Sequence, residues 1–329
     1  MTKRPDLLII TGPTASGKTG LSIKLARLLN AEIISADSMQ IYKYMNIGTD
    51  KVSSDIQDEI PHHLIDICNP NEEFSVAKYK KLADKKINDI SKRGKLPIIV
   101  GGTTMYIKAV VEGFMLPYLP DSNFRKRYKE ELKTVDKIKL YNYLKMIDPE
   151  YANRIHPNDT RRVTRAIEIF HMTGRTRTYF EFKQNRKESR YNFLQFAIKR
   201  NRQELYKKIN NRVDEMITAG LIEEVKYLFD NHNPGRTASQ ALGYKEIKEY
   251  LDEKVDMDIA INNIKQGSRH LAKRQLTFLR RNSKNIWLNP DNWHEKDLLV
   301  YIIKSACSKF DYFERTESKW NLSLLKCMV

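Results

Sequence analysis

Cysteine is scarce in this chain: Cys68, Cys307 and Cys327 are the only three, widely spaced and without a C-x-x-C pair. Neither a disulfide framework nor a zinc site finds support in that pattern. No apolar run approaches the roughly 18–20 residues that span a bilayer. The basic start, Met1 to Pro5, is followed only by Leu7-Leu8-Ile9-Ile10 before Gly12, short of the about 7–15 apolar residues of a secretory signal. A cytoplasmic protein with no membrane partner is expected. Internal repeats and low-complexity tracts are absent too. Acidic residues are missing between Asp258 and Asp291, where Lys265, Arg269, Lys273, Arg274, Arg280, Arg281 and Lys284 all fall.

What is present begins with charge. The formal net charge is +17, on a chain of 329 residues with 41% hydrophobic and 30% charged content. The composition is that of a globular protein, and the length suggests two domains. A lysine-rich background would account for some of the excess. The distribution argues for more. Lys265, Arg269 and Lys273 recur at i, i+4, i+8 and share a helix face. A solvated face normally mixes signs, whereas an unmixed one is a footprint for a polyanion.

Gly12-Pro13-Thr14-Ala15-Ser16-Gly17-Lys18-Thr19 follows an apolar strand candidate and precedes an amphipathic segment, Leu21 to Leu29. In that context G-x-x-x-x-G-K-[ST] is a phosphate cradle. Successive N–H groups and a helix N-terminus converge on one anion, and Lys18 adds a full charge. The Thr19 hydroxyl is placed for Mg²⁺. Such a loop announces a polyphosphate without saying which, or what becomes of it.

Strand and helix then alternate. Glu32–Asp37 reads as a strand ending in a carboxylate and His63–Ile67 as a short one. Ser75 is positioned to cap a helix that Gly94 stops, and Leu96–Val100 reads as a buried strand ending in Gly101-Gly102, followed by a helix from Thr104 to Val111. This pattern predicts an α/β fold with a parallel sheet and helices on both faces. Ligands of such sheets gather at the strands' carboxyl ends, so the Gly12–Thr19 loop, Asp37 and Gly101-Gly102-Thr103 should be neighbours. From about Asp121 to Arg190 the chain loses the strand signal and turns helical and basic. Phe193–Ile198 returns it to the sheet, with helices expected near 202–218, 220–230, 243–251, 256–281 and 295–311, and a last strand at Ile286–Leu288. The expected organisation is a core of 1–120 plus 191–311, a helical insertion over 121–190, and a tail, 312–329, of no assigned role.

A P-loop NTPase normally places a Mg²⁺-holding carboxylate at the end of a hydrophobic strand. Here Ile98-Ile99-Val100 ends in Gly-Gly-Thr instead. That counts against hydrolysis and towards a phosphate ester used as leaving group, although Asp37 could itself serve the metal. Asp37 has two readings, a cap for the segment after it or a proton acceptor facing the cradle. Thr103 likewise could cap a helix or donate its hydroxyl, while Ser38 and Gln40 could read a base edge. His62, His63 and His156 read as structural.

Together these segments resemble the tRNA dimethylallyltransferase family, the tRNA isopentenyltransferases of bacteria. The resemblance is carried by GPTASGKT (12–19), ISADSMQIYKYMNIGT (34–49), PHHLID (61–66), VGGTTMYIKA (100–109), RIHPNDTRRVTRAIEIF (154–170), ALGYKEI (241–247) and RHLAKRQLTFLRR (269–281). It implies a P-loop NTPase-like sheet with a helical, tRNA-binding insertion. The activity it implies is transfer of a dimethylallyl group from dimethylallyl diphosphate to N6 of adenine 37, beside the anticodon, in tRNAs reading codons that begin with U. By resemblance, Asp37 and Thr103 are catalytic, and Gly12, Pro13, Thr14, Ala15, Ser16, Gly17, Lys18, Thr19 and Arg125 bind the diphosphate, with Mg²⁺ on Thr19. Asp37, Ser38, Met39, Gln40 and Gly101 would meet the target base. Arg161, Arg162, Val163, Thr164 and Arg165, with Lys273, Arg274, Arg280 and Arg281, would contact the anticodon stem-loop. The eukaryotic type carries a C2H2 finger pattern that this sequence lacks, and a monomer is expected. An adenylate isopentenyltransferase would share the loop and Asp37 but has no use for the basic segments. A small-molecule kinase would rest on the loop alone, and a non-catalytic RNA-binding protein would leave Asp37 unexplained.

Overall fold

The computed structural model describes residues 4–113, 123–185 and 188–315. The chain divides into two compact units, one of residues 1–110 with 191–329 and the other Val111–Arg190.

The first unit is built on β1 (Asp6–Thr11), β2 (Ala31–Ser35), β3 (His62–His63), β4 (Leu96–Gly101), β5 (Asn192–Ile198) and β6 (Asn285–Leu288). They form one sheet in the order β3-β2-β4-β1-β5-β6, with every pairing parallel. The inner strands are apolar almost throughout because helices cover both faces. Leu7, Leu8, Ile9, Ile10, Ile98 and Ile99 are all fully buried. Register places Thr11 opposite both Gly101 and Ala197, so the ends of β1, β4 and β5 come level.

Two strands are shorter than the sequence suggests. β2 stops at Ser35, leaving Asp37 in the loop beyond it. The third strand is only His62–His63, since Leu64 (φ 64°) and Asp66 (φ 54°) take the left-handed conformation and break the extended run. What anchors it is the buried Glu32 carboxylate, bound by His63 Nε2 (2.8 Å), Arg93 Nη2 (2.7 Å) and Lys95 Nζ (2.9 Å). Ser75 caps the helix Val76–Lys92, accepting from the Lys78 N–H at 3.2 Å. Helices Arg202–Thr218, Leu221–His232, Tyr244–Leu251 and Met257–Leu279 pack around a second cluster that includes Ile41, Tyr42, Met45, Val225 and Tyr244. The helix expected to run to 311 ends at Cys307. A short helix, Asp311–Arg315, follows, whose Tyr312 is buried and donates to the Leu29 carbonyl (2.8 Å). Tyr312 is therefore part of the core rather than of a tail, and residues 316–329 lie outside those described.

The second unit is helical among its described residues: Asn123–Thr134, Lys137–Ile147, Pro149–Ala152, Thr160–Thr173 and Arg177–Asn185. Its boundary falls at 111 rather than 121. Asp136, Asp148 and Asp159 cap three of these helices, and Gly174 ends the one that Asp159 starts, in the left-handed conformation. Leu140, Leu144, Ile155, Val163 and Ile167 form its own core.

Candidate active site

The cradle forms because its sequence permits an uncommon backbone path. Ser16 N–H donates to the Pro13 carbonyl at 3.3 Å, while Ala15 (φ 58°) and Gly17 (φ 90°) lie in the left-handed region. Gly17 is also the N-cap of the helix Lys18–Leu28 and offers no side-chain cap. The helix's first N–H groups therefore remain available to an anion. The Ser16 hydroxyl is buried and, among the described residues, has no hydrogen-bond partner, which makes it a donor in waiting. Lys18 Nζ donates to the Pro13 carbonyl at 3.2 Å. Withdrawal from water, and then the neighbouring Arg212, push its pKa down to about 8, partly opposed by Asp37 and Asp50.

Three side chains from distant elements brace the loop. Gln275 accepts from the Thr14 N–H (2.9 Å) and donates to the Gly102 carbonyl (3.1 Å), tying the two glycine-rich turns together. Arg212 Nη1 donates to the Thr14 hydroxyl (3.0 Å) and pairs with Asp50 (3.2 Å). Arg200 Nε donates to the Ser16 carbonyl (2.9 Å), and its guanidinium also pairs with Asp291. The sequence alone singled out none of Gln275, Arg212, Asp50 and Arg200. Gln275 stood inside a quoted segment and Asp50 directly after one, which was the available signal.

Asp37 and Thr103 sit where β2 and β4 end. A Cβ at Gly101 would collide with the Ala36 carbonyl, so only glycine allows the two chains to cross here. Thr103 N–H then donates to the Ala36 carbonyl (3.0 Å), and the Thr103 hydroxyl accepts from the Ser38 N–H (3.0 Å). Thr103 also leads into the helix Thr104–Val111 with its carbonyl accepting from Tyr106 (2.9 Å), but its hydroxyl is spent on Ser38 rather than on the helix. Asp37 Oδ1 accepts from the Met39 N–H (2.9 Å). The local-cap reading is thus satisfied by one oxygen, and among the described residues Oδ2 takes no hydrogen bond.

The cleft beside these groups is lined by the polar side chains of Thr14, Lys18, Thr19, Asp37, Asp50, Arg212 and Gln275 and by the apolar ones of Ile209, Val213, Met216, Leu242, Ile264 and Leu271. The long helix Met257–Leu279 presents Ile264, Ser268, Leu271 and Gln275 to it, a single helical face. Gln40 lines the cleft too, but its carboxamide is committed: it accepts from Ser35 Oγ (2.9 Å) and donates to the Thr49 and Asp50 carbonyls (3.1 and 3.2 Å).

The basic residues divide. Lys273, Arg274, Arg280 and Arg281 are exposed. Lys265 is paired with Asp214 (2.6 Å) and Arg269 bonds Asn210 (2.7 Å), so the helix, which has no carboxylate after Asp258 in its first turn, borrows an acid from its neighbour. In the helical unit Arg161 and Arg162 are exposed, Arg162 also pairing with Asp159 (3.3 Å), and Arg165 pairs with Glu168 at 2.5 Å. The Thr164 hydroxyl bonds the Thr160 carbonyl (2.8 Å), and Val163, 1% exposed, packs inside the unit. The Val163 side chain therefore faces the unit's core and not a partner. The Arg125 side chain lies outside the described residues. His62 bonds the Ile60 carbonyl (2.7 Å), and His156 Nδ1 accepts from the Asn158 N–H (3.1 Å). Among the described residues no helix is long and apolar enough to cross a membrane.

Residues 40–282 match the family model described as IPP transferase. A tRNA dimethylallyltransferase of Halothermothrix orenii is 51% identical over 286 residues, covering 86% of this chain and 87% of the relative. One from Thermoanaerobacter sp. is 45% identical, covering 93% and 99%. Among solved structures, a full-length tRNA isopentenylpyrophosphate transferase of Bacillus halodurans is 40% identical with a TM-score of 0.70, covering 96% of this chain and 100% of the other. A eukaryotic dimethylallyltransferase acting on tRNA is 29% identical with a TM-score of 0.74, covering 87% and 74%.

Proposed function

This chain belongs to the IPP transferase family, and from that premise we propose that it transfers a dimethylallyl group from dimethylallyl diphosphate to N6 of adenine 37 in tRNAs reading codons that begin with U. The observation that carries this reading is the meeting, in one cleft, of a phosphate cradle, a carboxylate and a set of apolar side chains. A diphosphate ester with a short branched hydrocarbon matches both kinds of lining. A nucleotide hydrolase would have no use for Met216, Leu242 and Leu271 beside its phosphates.

In the reaction the N6 lone pair forms a bond to the allylic carbon, and the carbon–oxygen bond breaks with its electrons leaving on the diphosphate. The exocyclic amine is a weak nucleophile because its lone pair is delocalised into the ring. Asp37, through the oxygen not bound to Met39, accepts the N6 proton as the new bond forms. Charge growing on the leaving group is met by Lys18, Arg212, the free N–H groups of the cradle and the Ser16 hydroxyl. Thr103 holds Ser38 and so the turn that carries Asp37, and its hydroxyl hydrogen, now directed to Ser38 Oγ at 3.4 Å, turns to the diphosphate when that substrate binds.

The Thr19 hydroxyl is a hard oxygen donor of the kind Mg²⁺ takes, alongside water and substrate oxygens, so the cleft fits that ion. When bound, Mg²⁺ would neutralise diphosphate charge. The target base leaves the anticodon loop stack to reach Asp37, as reactions on nucleobases require. Arg161 and Arg162 of the helical unit, with Lys273, Arg274, Arg280 and Arg281, supply the phosphate contacts that hold the anticodon stem-loop. A cytoplasmic monomer is the working form.

Incubation with labelled dimethylallyl diphosphate and either unmodified tRNA or AMP tests the reading. Label should enter tRNA alone. Label in AMP and not in tRNA would make the chain an adenylate isopentenyltransferase, and ATP consumption without prenyl transfer would make it a kinase.

A further inference from the structure

Glu224 lies on the helix Leu221–His232 and does not line the cleft. Its carboxylate is nevertheless saturated by one short loop. Oε2 accepts from the Asn46 and Ile47 N–H groups (both 2.8 Å), and Oε1 accepts from the Gly48 N–H (3.0 Å) and the Tyr244 hydroxyl (2.5 Å). Three successive backbone N–H groups converging on one carboxylate form an anion nest occupied by the protein's own side chain. The loop is fixed from other sides as well. A Cβ on Gly48 would come within 2.5 Å of Tyr244 Cε2, so the ring packs directly on the glycine. Lys51 Nζ donates to the Tyr42 carbonyl (2.6 Å) and pairs with Asp66 (2.5 Å).

The loop continues into the cleft. Asp50 N–H donates to the Ile47 carbonyl (3.0 Å), and Asp50 has φ 53°, a conformation that needs support from its surroundings. The Asp50 carboxylate then holds Arg212, which donates to the Thr14 hydroxyl of the cradle. Without Asp50, Arg212 would face Lys18 with less opposing charge, and its long side chain would sample many rotamers. A continuous chain of contacts therefore runs from Glu224 through the 46–50 loop to a cation beside the phosphate cradle.

We propose that Glu224 is a positioning residue of the donor site: by gripping residues 46–48 it sets Asp50, and through Asp50 it keeps the Arg212 guanidinium preorganised for a diphosphate. The inference rests on the reading of the cleft as a diphosphate site, and it concerns binding rather than prenyl transfer.

Glu224→Gln tests it, because whichever carboxamide end becomes NH₂ must face two groups that now donate. Inorganic pyrophosphate is titrated into the full-length wild type, Glu224→Gln, Asp50→Ala and the double variant, with melting temperature, KM and kcat measured alongside. Glu224→Gln should weaken pyrophosphate binding about five- to tenfold and raise the donor KM equally, with kcat at saturation within about twofold. Asp50→Ala should match it, and the double variant should be no weaker than either, since both act through one contact. Fully additive losses, an unchanged affinity, or a kcat loss at constant KM would overturn the proposal. If Glu224→Gln does not fold, Tyr244→Phe keeps the ring on Gly48 and removes only the hydroxyl. It should shift affinity in the same direction by less, and no shift would count against the idea. A wild type that binds pyrophosphate but transfers no prenyl group would defeat the proposed function while leaving this inference standing.

Discussion

Lys18→Met should make the free protein more stable while abolishing its affinity for a diphosphate. The Lys18 ammonium is held where it is disfavoured: its pKa falls from 10.5 to about 8, first through loss of water and then through Arg212. At about 1.4 kcal/mol per pKa unit, keeping it charged at neutral pH costs at most about 3 kcal/mol. The side chain retains partial exposure and one hydrogen bond to Pro13, so about 1–2 kcal/mol is expected after allowing for solvent screening. For a chain of this size that corresponds to a rise of roughly 1–3 °C in melting temperature. The methionine keeps the length of the side chain without the charge.

The sign with pH follows from linkage. A lysine whose folded pKa lies below its unfolded value binds more protons when unfolded, so wild-type stability rises with pH between about 8 and 10.5 as this group titrates. In Lys18→Met that rise is absent, and the two melting temperatures converge at the alkaline end. Thermal melts of both proteins at pH 7, 8.5 and 10, with and without inorganic pyrophosphate, measure it. Pyrophosphate should raise the wild-type melting temperature at pH 7 and do nothing for the variant. A variant that melts below wild type at pH 7, or wild-type stability that does not rise across that window, would refute the reasoning.

Two further outcomes are expected. Asp37→Ala should leave tRNA binding nearly unchanged while turnover falls by roughly 10²–10⁴-fold; near-normal turnover would remove Asp37 from the base role. In Gly267→Ala the new Cβ would lie 2.5 Å from Leu242 Cδ1, so Leu242 must shift within the apolar part of the lining. The KM for dimethylallyl diphosphate should rise with the affinity for inorganic pyrophosphate unchanged, and equal losses of both would contradict the assignment of that part to the hydrocarbon.

What the sequence made legible was local. The cradle, the Ser75 cap and the apolar strands each declare themselves within a few neighbouring residues. The sheet followed from alternation of strand and helix, and the meeting of Thr14, Asp37 and Gly101 in one cleft from the rule that places ligands at strand ends. What stayed hidden is long-range. Thr14 meets Arg212 across 198 residues and Gln275 across 261, and no periodicity records such pairs. Gln40 reads as a base-contacting amide until its partners at Ser35, Thr49 and Asp50 are seen. Val163 stands among arginines in sequence, yet helical geometry turns it the other way. The Lys265–Arg269–Lys273 stripe looked uncompensated because Asp214 sits on another helix.

The position of β1 in the sheet has a temporal consequence. β1 pairs with β4 on one side and β5 on the other, and the whole Val111–Arg190 unit is synthesised between those two partners. At about 5–20 residues per second, the interval is on the order of ten seconds. Throughout it the nascent chain carries a strand whose middle, Leu7–Ile10, is wholly apolar and whose one edge is unpaired, while the helical unit, whose contacts are local, can close on its own. The hazard is strand-to-strand association on the ribosome rather than failure of the insertion to fold. Substitutions that slow the emergence or folding of Asn192–Ile198 should therefore appear first as lost yield, in protein whose surviving fraction is fully active.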